Sequence, residues 1–380
     1  MVQMLKGCPS SQSACMHITP SKRAANHRVI FGKSETLRTP LPAVFTGTQV
    51  QSQVLHRTHR TTSKRFTYQA RVLTSFCICC TANSQLEYAD TVKVAVLGIG
   101  LMGNKIARRL AEEGCQVAAW NRNTSKTEAL SAAGISIHQS AQAAAQQSDV
   151  LVLMLSDADA IKDVLLSADQ PVDLQGKVVV QMGTIGPKES CDIASQIEAA
   201  GAQYLEAPVL GSQPEASKGT LLIMVGSKTK PQESKAWSVL TKLGKEPMHM
   251  GAVGTAAATK LALNQLIASL TVGFSTSLGL LQRNGADIDK FMDILRGSAL
   301  YAPTFDKKLQ RMLDRDYANP NFPTKHLLKD IRLFTSEAQK VKLDTSLLQG
   351  LEAVIASTIN RGLADTDYSA IHDGITEPQK

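Results

Sequence analysis

The sequence predicts an α/β domain with a parallel sheet, followed by an all-α domain, and three observations predict it. Short apolar, β-branched runs alternate with segments of helical period from Val92 to Gly201. A glycine turn, Gly98-Ile99-Gly100-Leu101-Met102-Gly103, lies at the first junction of such a run with such a segment. After Gly254 the strand-like runs stop and one helical segment follows another. Alternating strands and helices bury both faces of a parallel sheet under helices.

The elements follow in order. Val92–Leu97 is apolar and β-branched and reads as a strand. Asn104–Glu113 carries Ile106, Ala107, Leu110 and Ala111 at helical spacing, and Gly114 closes that helix. Gln116–Trp120 reads as the second strand and Val150–Leu155 as a buried one, with Asp157 placed to cap the helix after it. Val178–Val180 is a further strand. Pro187 opens a helix that ends at Gly201. Residues 91–253 form the α/β domain and 254–380 the helical one, whose segments break at Pro303, Pro320 and Pro323. Leu261–Leu281 is uncharged and long enough to span a bilayer. Its Asn264, Gln265 and hydroxyl side chains favour instead a helix buried between domains or subunits.

The net charge of +8 is unevenly placed. Residues 1–85 hold eleven Lys or Arg and a single acid, Glu35, leaving 30 basic and 32 acidic residues in the remainder. A basic, hydroxyl-rich, acid-poor leader without periodicity has the composition of a disordered organelle transit peptide. A nucleic-acid-binding arm is the alternative, but the basic residues form no dense run. The length favours a chloroplast over a mitochondrion. Five of the seven cysteines fall in this leader, and the body keeps Cys115 and Cys191, as expected in a reducing compartment. No His/Cys/Asp cluster has metal-ligand spacing, and the histidines, His249 and His326 included, fall outside the predicted chemistry. No metal, nucleic-acid or membrane partner is expected.

The glycine turn predicts a bound dinucleotide. Gly98 permits a tight turn, Gly100 lets a pyrophosphate approach the backbone, and Gly103 lets the helix pack on the strand. The helix N-terminus then faces the phosphates. At the end of the second strand a carboxylate would select NAD; here the stretch is Trp120-Asn121-Arg122-Asn123-Thr124-Ser125-Lys126. Without an acid to repel a 2′-phosphate, Arg122 can pair with it, helped by Asn121, Thr124 or Lys126, so NADPH is favoured over NADH.

Five stretches together resemble the β-hydroxyacid dehydrogenase family. They are the glycine turn; Glu206-Ala207-Pro208-Val209-Leu210-Gly211-Ser212 with Gly219-Thr220-Leu221 and Met224-Val225-Gly226; Gly251-Ala252-Val253-Gly254 with Lys260 and Asn264; Lys329-Asp330-Ile331-Arg332-Leu333; and Asp365-Thr366-Asp367-Tyr368-Ser369-Ala370. Trp120-Asn121-Arg122, Gly211-Ser212 and Phe322-Pro323-Thr324-Lys325-His326 are similar to the NADPH-dependent glyoxylate/succinic semialdehyde reductases within it. The resemblance implies a Rossmann-type domain joined by a long helix to a helical domain, in a homodimer or homotetramer. It implies Lys260 as the catalytic residue, with Asn264 orienting it or bonding the substrate. Gly211, Ser212, Thr184, Phe322 and Asp330 are implied on the substrate side. On the cofactor side it implies Gly98, Ile99, Gly100, Leu101, Met102, Gly103, Met154, Leu155, Thr184 and Lys329. Leu210 departs from the serine common in the family, which shifts carboxylate binding towards backbone amides. The implied activity is reduction of a small carboxylate-bearing aldehyde. An ammonium beside the carbonyl oxygen stabilises the alkoxide and can protonate it. An NAD-linked hydroxyisobutyrate-type dehydrogenase and a non-catalytic binding protein of the same fold are the alternatives.

Overall fold

The computed structural model describes residues 91–376 other than 168 and 170; the expected transit peptide and its cysteines lie outside the described residues. Six strands form the parallel part of the sheet: β1 (Lys93–Leu97), β2 (Gln116–Trp120), β3 (Ser136–Ile137), β4 (Val150–Leu153), β5 (Val178–Gln181) and β6 (Gln203–Glu206). Three more extend it: β7 (Val209–Leu210), β8 (Leu222–Gly226) and β9 (Met248–Gly251). The order is β3-β2-β1-β4-β5-β6-β8-β7, with β9 against β8. Pairings from β3 through to β6 are parallel, whereas β8 runs antiparallel to both β6 and β7. Period-two alternation sends Val94 and Val96 to one face and Ala95 and Leu97 to the other, and both faces are buried. Double burial explains why these strands read as continuous apolar runs.

Helices of this half are α1 (Leu101–Glu112), α2 (Ala141–Gln146), α3 (Ala158–Leu165), α4 (Pro187–Ala199), α5 (Gln213–Lys218) and α6 (Ala236–Leu243). Two of the boundaries that differ from the sequence reading shape the site. Helix α1 starts at Leu101, three residues before Asn104, because the Asn104 N–H already donates to the Gly100 carbonyl at 3.0 Å. Half of the glycine turn is thus the first turn of the helix. Strand β4 ends at Leu153, which leaves Met154 and Leu155 in the loop beyond the sheet. Asp157 caps α3 by accepting from the Ala160 N–H, as its position predicted. The two-residue strands β3 and β7 are too short to register as a period.

The sheet ends at Gly251 and α7 (Thr255–Arg283) begins after a left-handed Gly254. Then come α8 (Ile288–Arg296), α9 (Pro303–Asp314), α10 (Thr324–Lys340), α11 (Ser346–Thr358) and α12 (Ile371–Ile375). Pro303 occupies the first turn of α9 and Pro323 precedes α10, so both open helices where their fixed φ fits. Helix α7 touches β8 and α4 on one side and α10 and α12 on the other, bridging the two halves. Its length and composition would allow a membrane crossing. Phe274 stacks on Phe305 with ring centroids 4.6 Å apart, while Leu266, Leu270 and Leu280 face outward.

Candidate functional site

The reversal of strand order falls between β1 and β4, and in open α/β sheets ligands bind outside the carboxyl ends of the strands at that point. A cavity of about 1390 Å³ opens there and continues under the helical half. The turn after β1 is shaped by contacts no side chain could share. Gly98 has φ +102°, and a Cβ on it would meet the Met154 carbonyl oxygen at 2.5 Å. A Cβ on Gly103 would lie 1.9 Å from the Gly98 oxygen. Gly100 is exposed with nothing within 4 Å of its Cβ position, so backbone there is open to a ligand. Gly98, Gly100, Leu101, Met102 and Gly103 all line the cavity, as do Met154, Leu155 and Thr184. The turn therefore fits a dinucleotide: tight where helix meets strand, bare where a diphosphate would rest.

Some expected cofactor residues have other tasks. Ile99 is buried in the core, and its N–H donates to Asn121 Oδ1 at 2.9 Å. The Asn121 amide donates in turn to the Asn123 carbonyl, so this side chain ties the glycine turn to the end of β2. Thr124 does not line the cavity; it opens a short 3₁₀ turn capped by Asn123. Arg122, Asn123 and Lys126 do line it, and Arg122 is exposed.

The opposite wall comes from α7 and α10. Lys260, Asn264 and Ile267 occupy one face of α7, at helical spacing, and all line the cavity. The start of α7 is fixed by Glu206, whose Oε1 accepts from the N–H groups of Gly254 and Ala256 at 2.7 and 2.8 Å. Ser190 Oγ donates to the other oxygen at 2.6 Å. Sequence reasoning missed this role; an acid at the end of a strand shows no sign of which helix it will cap. Asn264 is buried, and its amide donates to Asp330 Oδ2 at 2.6 Å. Asp330 is buried too, with Lys329 Nζ 2.9 Å from its Oδ1. Lys329 also donates to the carbonyls of Ser156 and Thr184, at 3.1 and 2.6 Å. It thereby ties α10 to the loops after β4 and β5.

Lys260 is half-buried at the cleft. Burial pushes its ammonium down to about 8; Asp330 opposes that shift and Lys329 adds to it. Asn264 Oδ1 is a buried acceptor without a partner among the described residues.

On the substrate side Gly211 and Ser212 line the cavity, but the donors of Ser212 are engaged. Its N–H and its hydroxyl both donate to Glu215 Oε2, at 2.8 and 2.7 Å, in a capping box at the start of α5. The expectation that Ser212 offers free donors to a carboxylate is corrected by this cap, which the Ser-x-x-Glu spacing could have revealed. Phe322 lines the cavity and meets Tyr368 edge-on at 6.0 Å. His326 also lines it and shares a face of α10 with Lys329 and Asp330. Burial lowers its basicity, with Lys329 and Lys325 adding to the effect.

Residues 93–253 match the family described as the NAD binding domain of 6-phosphogluconate dehydrogenase. Residues 254–374 match the family described as NAD-binding of NADP-dependent 3-hydroxyisobutyrate dehydrogenase. The chain is 31% identical over 297 residues to glyoxylate/succinic semialdehyde reductase 2, chloroplastic, of Arabidopsis thaliana, covering 78% of this chain and 82% of that protein. It is 31% identical to glyoxylate/succinic semialdehyde reductase 1 of the same plant, covering 75% and 98%. A 3-hydroxyisobutyrate dehydrogenase from Salmonella typhimurium shares the fold, with a TM-score of 0.66 at 24% identity, over 74% of this chain and 99% of that one. A glycine turn at the strand-order reversal, a helical half closing over it and relatives matched across both halves lead to one assignment: the chain belongs to the β-hydroxyacid dehydrogenase family, NAD(P)-dependent oxidoreductases acting on the CH–OH group.

Proposed function

We propose that the protein reduces short carboxylate-bearing aldehydes, glyoxylate to glycolate and succinic semialdehyde to 4-hydroxybutyrate, using NADPH. The observation that carries this reading is a half-buried lysine facing the same cavity as the glycine turn, with its ammonium brought down to about 8. A proton donor works best when its pKa lies near the working pH. The nicotinamide cofactor, when bound, supplies the hydride. Lys260 hydrogen-bonds the aldehyde oxygen, stabilises the negative charge that grows on it and delivers the proton. Asn264, pinned by Asp330, keeps an acceptor oriented beside that lysine's face of α7. Lys329 holds the helical wall against the loops after β4 and β5 and so limits water entry.

Arg122 at the end of β2 and Lys126 beyond it support the choice of NADPH, since both face the cavity where no acid ends the strand. The outward leucines of α7 support a homodimer or homotetramer that covers them. The basic leader, together with a relative named as chloroplastic, supports a chloroplast location. Initial rates with glyoxylate, succinic semialdehyde and 3-hydroxyisobutyrate, each with both nicotinamide cofactors, test the reading. Aldehyde reduction should run faster with NADPH than with NADH at equal concentration. NAD-linked oxidation of 3-hydroxyisobutyrate as the dominant activity would overturn it in favour of the hydroxyisobutyrate-type dehydrogenase.

A further inference from the structure

From Val209 to Glu215 the cavity-lining side chains leave no free donor to the carboxylate of such a substrate. Both donors of Ser212 serve Glu215, and Leu210 offers no hydroxyl. The far wall, from α9 and the segments bordering α10, contributes Thr304, Lys307, Lys308, Asn321, Phe322 and Tyr368. Lys308 is 7% exposed, and its Nζ donates to both oxygens of Asp367 at 2.7 and 2.9 Å. An ammonium has three donors, so one is left over. Asp367 is fully buried, is absent from the cavity wall, and also accepts from the N–H groups of Asn321 and Ser369 and from Ser369 Oγ. Cation and anion are therefore ordered: Lys308 stands at the cleft, and Asp367 behind it has its charge spread over further donors.

We propose that Lys308 forms a second anion subsite in this cavity, which holds the carboxylate of an aldehyde whose acid group lies several carbons from its carbonyl, as in succinic semialdehyde. This inference rests on the reductase reading above and narrows it. Burial holds the Lys308 ammonium below its ordinary range even with Asp367 against it, so a further carboxylate at the remaining donor offsets lost solvation. Nζ lies 4.3 Å from the Tyr368 ring centroid, and Phe322 meets that ring edge-on, so an apolar surface suited to a methylene chain adjoins the cation. Lys307, exposed on the same helix, adds positive potential at the rim. Lys260 stands on α7 and Lys308 on α9, so the two ammonium groups belong to different walls of the cavity. The cavity-facing stretch of α7 from Lys260 to Ile267 runs about 10 Å at the helical rise. Glyoxylate, with its acid bonded directly to the aldehyde carbon, has no methylene chain to lay along the Tyr368 and Phe322 rings.

The test compares kcat/KM for succinic semialdehyde, glyoxylate and butanal with NADPH, in the natural protein and in Lys308→Met. A charge-assisted hydrogen bond implies a preference for succinic semialdehyde over butanal of about tenfold to a hundredfold, expressed mainly in KM. In Lys308→Met that ratio should collapse towards one, while the ratio of glyoxylate to butanal moves much less. Should Lys308→Met fold poorly because it strands Asp367, the pair Lys308→Gln with Asp367→Asn removes both charges and keeps a hydrogen-bonding couple, and the same collapse is expected. Equal use of succinic semialdehyde and butanal by the natural protein, or a ratio that survives loss of the Lys308 charge, overturns the subsite and leaves the reductase reading standing. No turnover of any aldehyde overturns both.

Discussion

On the sheet side the cavity wall is shaped chiefly by backbone, whereas on the helical side it is set with charged side chains. Gly98, Gly100 and Gly103 act by having no Cβ, within six consecutive residues of one turn. Lys260, Asn264, Lys329 and Asp330 act through side chains drawn from two helices, and Asn264 and Asp330 meet across 66 positions of sequence. The first arrangement is local and tolerates little, since an atom added at Gly98 or Gly103 collides with fixed backbone and one added at Gly100 would fill the space left for a ligand. The second is assembled: Asn264, Asp330 and Lys329 hold one another, whereas Lys260 can be truncated without steric conflict, so its loss should appear in chemistry rather than in folding.

The largest effect that could break this contrast is at Lys260. Lys260→Ala should lower turnover by about a hundredfold to ten-thousandfold, the range for a lost proton donor. NADPH affinity, read by fluorescence titration, should be nearly preserved, because the glycine turn is untouched. Unchanged turnover would sink the mechanism. A smaller loss, on the other wall and of the other kind, is expected for Gly103→Ala. Its methyl has only 1.9 Å to the Gly98 oxygen, so α1 must move away from β1. Forced overpacking of this sort destabilises by about 1–3 kcal/mol. Thermal unfolding should show a lower midpoint, with less recovery on adding NADPH than the natural protein shows. An undisturbed midpoint would mean that the turn is not held by this contact.

The finest test concerns pH and sharpens the helical side. A proton donor must be protonated, so the rate of aldehyde reduction should be level at lower pH and fall as pH rises through about 8, where Lys260 loses its proton. Lys329 lowers that value, and its pairing with Asp330 ties up the carboxylate that raises it. Lys329→Gln removes the first effect and relieves the second, so both changes act in the same direction. The alkaline limb of kcat should move to higher pH, whatever happens to the absolute rate. A limb that stays in place, or moves down, would show that Lys260 is not the titrating donor.

Much of the nucleotide side was legible because its determinants are neighbours in sequence. The strand, the glycine turn and the amphipathic helix announce themselves within twenty residues, and the start of α1 differs only because Leu101-Met102-Gly103 belong to the glycine turn and to the first helical turn at once. Ser212 was misjudged for the opposite reason. The same hydroxyl can serve a ligand or cap α5, and Glu215 decides which. Lys308 was missed because a single polar residue on a helix looks the same whether it faces a cavity or solvent. Lys260 entered through the family resemblance, but its distance from ordinary lysine behaviour depends on burial and on two charges from α10.

The sequence by itself determined the alternation of elements, the backbone path of the glycine turn and the switch to helices after residue 254, since propensity, periodicity and the absence of a Cβ act over short spans of chain. Only the tertiary structure decided which carboxylate caps α7, that Lys329 ties α10 to the sheet loops, and that Lys308 faces the cleft with Asp367 behind it. Those outcomes depend on desolvation and on distances between residues far apart along the chain, and both are set when the helical half packs over the sheet.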